Sequence, residues 1–278
     1  MSNSKQTPKD QTPQQPQQSE QSQEQLTQPN LLPIINGNAR IALQKAWQRL
    51  LPLIGDKNGN SELGFAAQII AKSAELKGCP VKSIEDSVVN AARVGLTLNP
   101  SLRLGSIFAR GGKAVYEIGY MGYIVLLKRG GGVKYIDAYI HYEDEDFKFE
   151  PTTGSLHHVP EYVVTEEEQK ARKILGCYSR AVLLTGDVVF NYMPIWEINK
   201  RRAFSEGHEE KGSAWTQWEE DMVKKTAIRR HFKLLISDST NEQLREAVRI
   251  EDESNTMNFP SAQRPSLLDF DFDDDDNA

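Results

Sequence analysis

The chain has 278 residues, 38% of them hydrophobic and 26% charged, enough for one core once polar ends are set aside. No run reaches the roughly 18 apolar residues of a membrane helix, and Cys79 and Cys177 are too far apart for a metal knuckle or a disulfide framework. We therefore expect a soluble cytoplasmic protein. The net charge of -6 does not exclude a polyanionic partner, because residues 31–250 hold 30 basic and 27 acidic groups and the acidity gathers in the carboxyl-terminal tail.

Residues 1–30 contain ten Gln and four Pro, with Leu26 the only large aliphatic after Met1, so they read as a disordered tail. Helical spacing then predicts Asn36 to Leu51, stopped by Pro52, and Glu62 to Lys77, opened by Ser61 and closed by Gly78. A third helix, Ile84 to Val94, takes Ser83 and Asp86 as its capping box and Gly95 as its end. Ser106 to Ala109 and Ala114 to Ile118 form a hairpin across Arg110-Gly111-Gly112-Lys113. A helix over Tyr120 to Lys128 and a strand over Val133 to Tyr142 follow, and Asp144 to Thr165 reads as an extended, charged connection. Ile174 to Leu184 pairs with Val188 to Met193, and Pro194 opens a helix to about Ala203. Ala214 to Ile236 is the longest helical pattern, and Ser239 with Glu242 caps another that reaches about Ile250. Residues 251–278, ending in four aspartates before Asn277, read as a disordered acidic tail. The fold class expected is α+β, an antiparallel sheet with helices packed against it, in one domain over 31–250.

The chemistry concentrates in Met222 to Lys233, MVKKTAIRRHFK, with five cations and no acid. On a helix Lys225, Arg229 and Lys233 form one stripe, and Ile228, Phe232 and Leu235 an adjoining apolar one. Such a stripe is either a solvated face or a phosphate track, and stacking like charges is unfavourable unless a polyanion or distant acids answer it. Arg103, Arg110, Lys113, Lys128, Arg129, Lys200, Arg201 and Arg202 lie at turns and element ends, each by itself a surface charge. Tyr116, Tyr120, Tyr123, Trp215 and Trp218 are stacking candidates, the two tryptophans being at a spacing more usual in a core.

A P-loop around Gly112-Lys113 fails, because the positions that need glycine and Ser or Thr hold Ile107 and Ala114. Asp137 with Asp146 and Lys148 imitates a nuclease metal site, where the crowd Glu143 to Asp146 reads as a solvated loop, and His157-His158 with Glu161 imitates a metal cluster, though adjacent histidines on an extended segment face opposite sides. There is no Gly-x-Ser-x-Gly elbow.

Four segments in order, GLTLNPSL at 95–102, IGYMGYI at 118–124, Asp146-Phe147 leading to HHVP at 157–160, and EEDMVKKTAIRRHFKLL at 219–235, resemble the RecT family of phage and prophage recombinases over residues 31–250. The resemblance implies a small antiparallel β-β-β-α core with flanking helices. It also implies a non-enzymatic protein that binds single-stranded DNA and anneals complementary strands without ATP or cofactor, similar in class to the lambda Red beta protein. Rings or helical filaments, a partner exonuclease and the host single-strand-binding protein are expected with it, in a bacterial cytoplasm. On that reading Lys224, Lys225, Arg229 and Arg230, then Arg103, Lys113, Lys128 and Arg129, contact phosphates, while Tyr120 and Tyr123 shape the groove or stack. The alternatives are a metal-dependent nuclease and a protein that coats single strands without annealing them.

Overall fold

Pro52 does not end the first helix. In the computed structural model, which describes Met1 and residues 37–205, 207–237 and 239–258 (the last five as backbone only), α1 runs Gly37–Ala71 and passes through Pro52. It breaks three residues later at Gly55 (φ 75°, ψ 173°), where a left-handed backbone costs glycine nothing. The break folds the second arm back on the first, so that Trp47 lies over Gly59, where an added Cβ would stand 2.9 Å from the indole. Apart from Met1, the expected amino-terminal tail lies outside the described residues, as does the chain beyond 258.

A short helix, α2 (Ala74–Gly78), is capped by the Ser73 side chain, which divides the second predicted helix in two. Next, α3 (Val81–Arg93) begins at Pro80 and not at a capping box. The Ser83 hydroxyl instead donates to the Pro80 carbonyl at 2.8 Å and accepts the Ala114 N–H at 3.1 Å, which ties α3 to the first hairpin. The helix ends as expected at Gly95, where the Gly95 and Leu96 N–H groups return to Ala92 and Ala91.

Strands β1 (Gly105–Arg110) and β2 (Lys113–Ile118) pair around Gly111 and Gly112, both at positive φ as a tight hairpin turn requires. The helix α4 (Tyr120–Gly130) crosses the start of β1 so closely that a Cβ on Gly122 would sit 2.1 Å from the Leu104 carbonyl oxygen. The order β-β-α-β is completed by β3 (Val133–Tyr142). Where a charged connection was expected there is a further hairpin, β4 (Asp146–Glu150) and β5 (Ser155–Val159), and a short helix α5 (Glu166–Ala171) with a Thr165/Glu168 capping box. Phe147 fixes this hairpin by stacking on His141, ring centroids 3.8 Å apart.

After these come β6 (Ile174–Leu183), β7 (Val188–Pro194), α6 (Ile195–Arg202), α7 (Ala214–Gln217), α8 (Glu219–Leu235) and α9 (Glu242–Asn258). The described strands fall into three antiparallel sheets, β1-β2, β3-β6-β7 and β4-β5, which with the helices makes an α+β fold. The long helix predicted from Ala214 is interrupted at Trp218, whose φ of -134° ends α7. The apolar stripe of α8, with Ile228 and Phe232 fully buried, packs on β3 and β6. Asn241 caps α9 by accepting the Leu244 N–H, and Leu244, Ala247 and Ile250 anchor that helix on β2 and α4. The helix continues eight residues beyond Ile250. Among the described residues no helix is long and apolar enough to cross a membrane.

Candidate nucleic-acid interface

Because α8 buries one stripe, its neighbouring stripe faces a cleft of about 640 Å³ walled by β2, the loop after α6, α7 and α9. Among the described residues six cations line it: Arg110, Arg201, Lys225, Arg229, Arg230 and Lys233. Three of these come from the i, i+4, i+8 pattern of α8, and Arg110 and Arg201 arrive from elements distant in sequence.

Most of these cations are answered within the chain. Arg229 is paired with Glu251, Lys233 with Asp252 at 2.7 Å, Arg230 with Glu197 at 2.6 Å and Arg110 with Glu117 at 2.9 Å. Lys225 differs: among the described residues no carboxylate comes within ion-pair distance of its amine. Burial holds its pKa below the usual lysine value, Glu117 pulling it back up and Arg229 and Arg110 pushing it further down. A half-buried ammonium without a counterion is stabilised by any anion that enters beside it.

Tyr123 is 3% exposed, packed on Phe232 with ring centroids 5.0 Å apart, and lines the cleft with Arg229. Burial raises its pKa first of all, with Glu251 adding to the rise. A side chain so enclosed offers no face to a base. Phe204 and Trp215 also line the cleft, Trp215 lying 5.4 Å beneath the Arg202 guanidinium.

Of the residues expected to contact DNA, Lys225, Arg229, Arg230 and Tyr123 are brought together here. Lys224, one helical step away, is half-buried and does not line the cleft. Arg103 is exposed in the turn before β1 with φ 51°, and Lys113 stands exposed at the first hairpin tip, beside a smaller cavity of about 320 Å³. Lys128 is exposed at the end of α4, and Arg129 donates to the Gly95 carbonyl at 2.7 Å. Tyr120 is half-buried at the start of α4, its pKa raised by burial and by Asp137.

In the sequence Arg110 and Arg201 stand only as scattered turn charges, and Glu251 falls in the acidic tail. The legible signal for Glu251 was helical spacing, since it follows Leu244 and Ala247 on the buried face of α9. The two carboxylates of the nuclease alternative are engaged elsewhere. Asp137 accepts from Tyr139 at 2.5 Å, and Asp146 lies 3.4 Å from His157. His158 is turned inward on Glu145 and Tyr178 while His157 is exposed, the alternation an extended strand imposes. Among the described residues no three His, Cys, Asp or Glu side chains are grouped to hold a metal ion.

A profile of the RecT family matches residues 63–262. The chain belongs to the RecT family. Protein RecT of Escherichia coli strain K12 is 31% identical over 182 residues, which cover 62% of this chain and 64% of that protein. The chain thus spans a little under two thirds of that relative's length. The RecT match leaves out the first arm of α1 and takes in every cation of the cleft together with Glu251 and Asp252.

Proposed function

We propose that this RecT-family protein holds single-stranded DNA by its phosphates along α8 and pairs it with a complementary strand without ATP. The observation that carries the reading is Lys225, an ammonium lacking a carboxylate partner among the described residues, in the wall of a cleft that also presents Arg229, Arg230 and Lys233. Phosphates satisfy that charge, and contacts confined to phosphates carry no sequence information. Bases left facing outward are then tested by the second strand, and correct pairing is rewarded by duplex stacking. Sequence is read by DNA and not by protein.

The family membership supports the finer parts of this proposal: action as a ring or helical filament in phage-type recombination, beside an exonuclease and the host single-strand-binding protein, in the cytoplasm of a bacterium. The deciding experiment follows two complementary labelled oligonucleotides, with and without protein, in the absence of ATP and with Mg²⁺ present or chelated. Faster annealing without nucleotide is the expected result. Tight binding without acceleration would leave a strand-coating protein, and Mg²⁺-dependent loss of full-length strand a nuclease.

A further inference from the structure

Two of the α8 cations that a strand needs, Arg229 and Lys233, are already in contact with carboxylates, and those carboxylates sit on the final turns of α9. Glu251 pairs with Arg229 and lies 3.8 Å from Lys233, while Asp252 reaches the same lysine at 2.7 Å. Glu251 is 4% exposed and lines the cleft, yet among the described residues its Oε2 has no hydrogen-bond partner. A buried carboxylate oxygen left unsatisfied bears part of its desolvation cost unanswered, so the pairing with Arg229 is readily exchanged for one that returns Glu251 to water.

The rest of α9 is built to permit the exchange. Its apolar anchors Leu244, Ala247 and Ile250 end at Ile250, and the sequence from there to Asn258, EDESNTMN, holds one apolar residue in eight. The described contacts of these turns with α8 are the ionic ones at Glu251 and Asp252. Terminal turns attached by charge lift at far lower cost than turns attached by buried apolar surface.

We propose that the last turns of α9 are an autoinhibitory arm, a tethered anion that occupies Arg229 and Lys233 until DNA phosphates displace Glu251 and Asp252. The proposal rests on the assignment of the cleft to DNA phosphates. It has a distinctive electrostatic consequence. Phosphates that replace protein carboxylates release fewer net counterions, so wild-type binding depends on salt less steeply than the number of cations in the cleft implies.

The test titrates the full chain against a labelled oligo-dT strand by fluorescence anisotropy at several salt concentrations. Asp252→Asn, at an exposed position, is expected to tighten binding about two- to fivefold at low salt and to steepen the salt slope. Glu251→Gln, which keeps the side-chain shape, should act in the same direction. Glu246→Gln is the control: it removes one α9 charge that pairs with Arg93 and Arg249 and lies outside the cleft. Tightening by Asp252→Asn and Glu251→Gln beyond that control supports the arm. Equal effects of all three, or none, overturn it. Lys225→Ala is run in parallel, and if it binds like the wild type the cleft assignment itself falls and the arm with it. In hydrogen exchange, amides 250–258 should exchange faster when the strand is bound; slower or unchanged exchange overturns displacement even if affinities respond.

Discussion

Ser179 of β6 and His231 of α8 meet in the core, the hydroxyl 2.7 Å from Nδ1 of an imidazole that is 1% exposed. Burial lowers the His231 pKa from 6.5 to about 4, so the folded chain holds this ring neutral while the unfolded chain protonates it. The unfolded state therefore binds more protons between those two values. The stability His231 contributes is complete above about pH 6.5 and is lost as pH falls toward 4, an acid-side loss of about 3 kcal/mol. Thermal unfolding at steps from pH 7 to 4.5 should show this limb, and His231→Asn should flatten it. A limb unchanged in the variant would assign the acid sensitivity to other groups.

Lys225 gives the cleanest test of the cleft, because removing it leaves no buried carboxylate behind. Lys225→Ala should weaken binding to strands of any sequence and reduce the salt slope by about one. Lys45→Ala, exposed on the first arm of α1 and outside the cleft, should leave both unchanged. Equal effects of the two would distribute DNA contact over the surface and not concentrate it in the cleft.

Arg229 and Glu251 behave differently, since each is the other's counterion. Arg229→Ala strands a carboxylate that is 4% exposed and should destabilise the chain in urea unfolding, by less than the about 3–5 kcal/mol of a charge fixed in the interior because lifting of the last α9 turns returns Glu251 to water. Adding Glu251→Gln to the same chain should recover a substantial part of that loss, an interaction that a double-mutant cycle reads directly. Additive losses would mean that the pair is not coupled.

Gly122 is set against the Leu104 carbonyl with no space for a methyl group. Gly122→Ala must push α4 away from β1, and overpacking of this kind costs about 1–3 kcal/mol, more when the obstacle is backbone. Gly64, where an added Cβ meets nothing, serves as the comparison, since Gly64→Ala within a helix should be neutral or stabilising.

The parts of the fold legible in sequence were those whose signals are local. The β1-β2 hairpin turns on two adjacent glycines, β3 is a run of β-branched and aromatic residues, and α6 starts after a proline. The β4-β5 hairpin was hidden because DFKFE alternates charge with only two aromatics, a pattern shared with solvated loops. Pro52 misled because the true break lies three residues on at Gly55, and Ser83 because its hydroxyl serves a neighbouring strand. The same division holds at the site. The stripe on α8 is a property of one helix and could be read from spacing. The cleft was not legible, for Arg110, Arg201, Glu197 and Glu251 converge on it only through tertiary packing.

The fold-back of α1 also makes the chain a reporter on itself. Trp47 sits over Gly59 and Trp215 beneath Arg202, both shielded, while Trp196 and Trp218 are more than 60% exposed. Intrinsic emission is therefore a sum of two populations that a soluble collisional quencher separates. The shielded fraction carries one fluorophore at the bend of the first helix and one in the wall of the cleft, so replacing Trp47 by Phe would leave Trp215 as an unlabelled optical gauge of cleft occupancy.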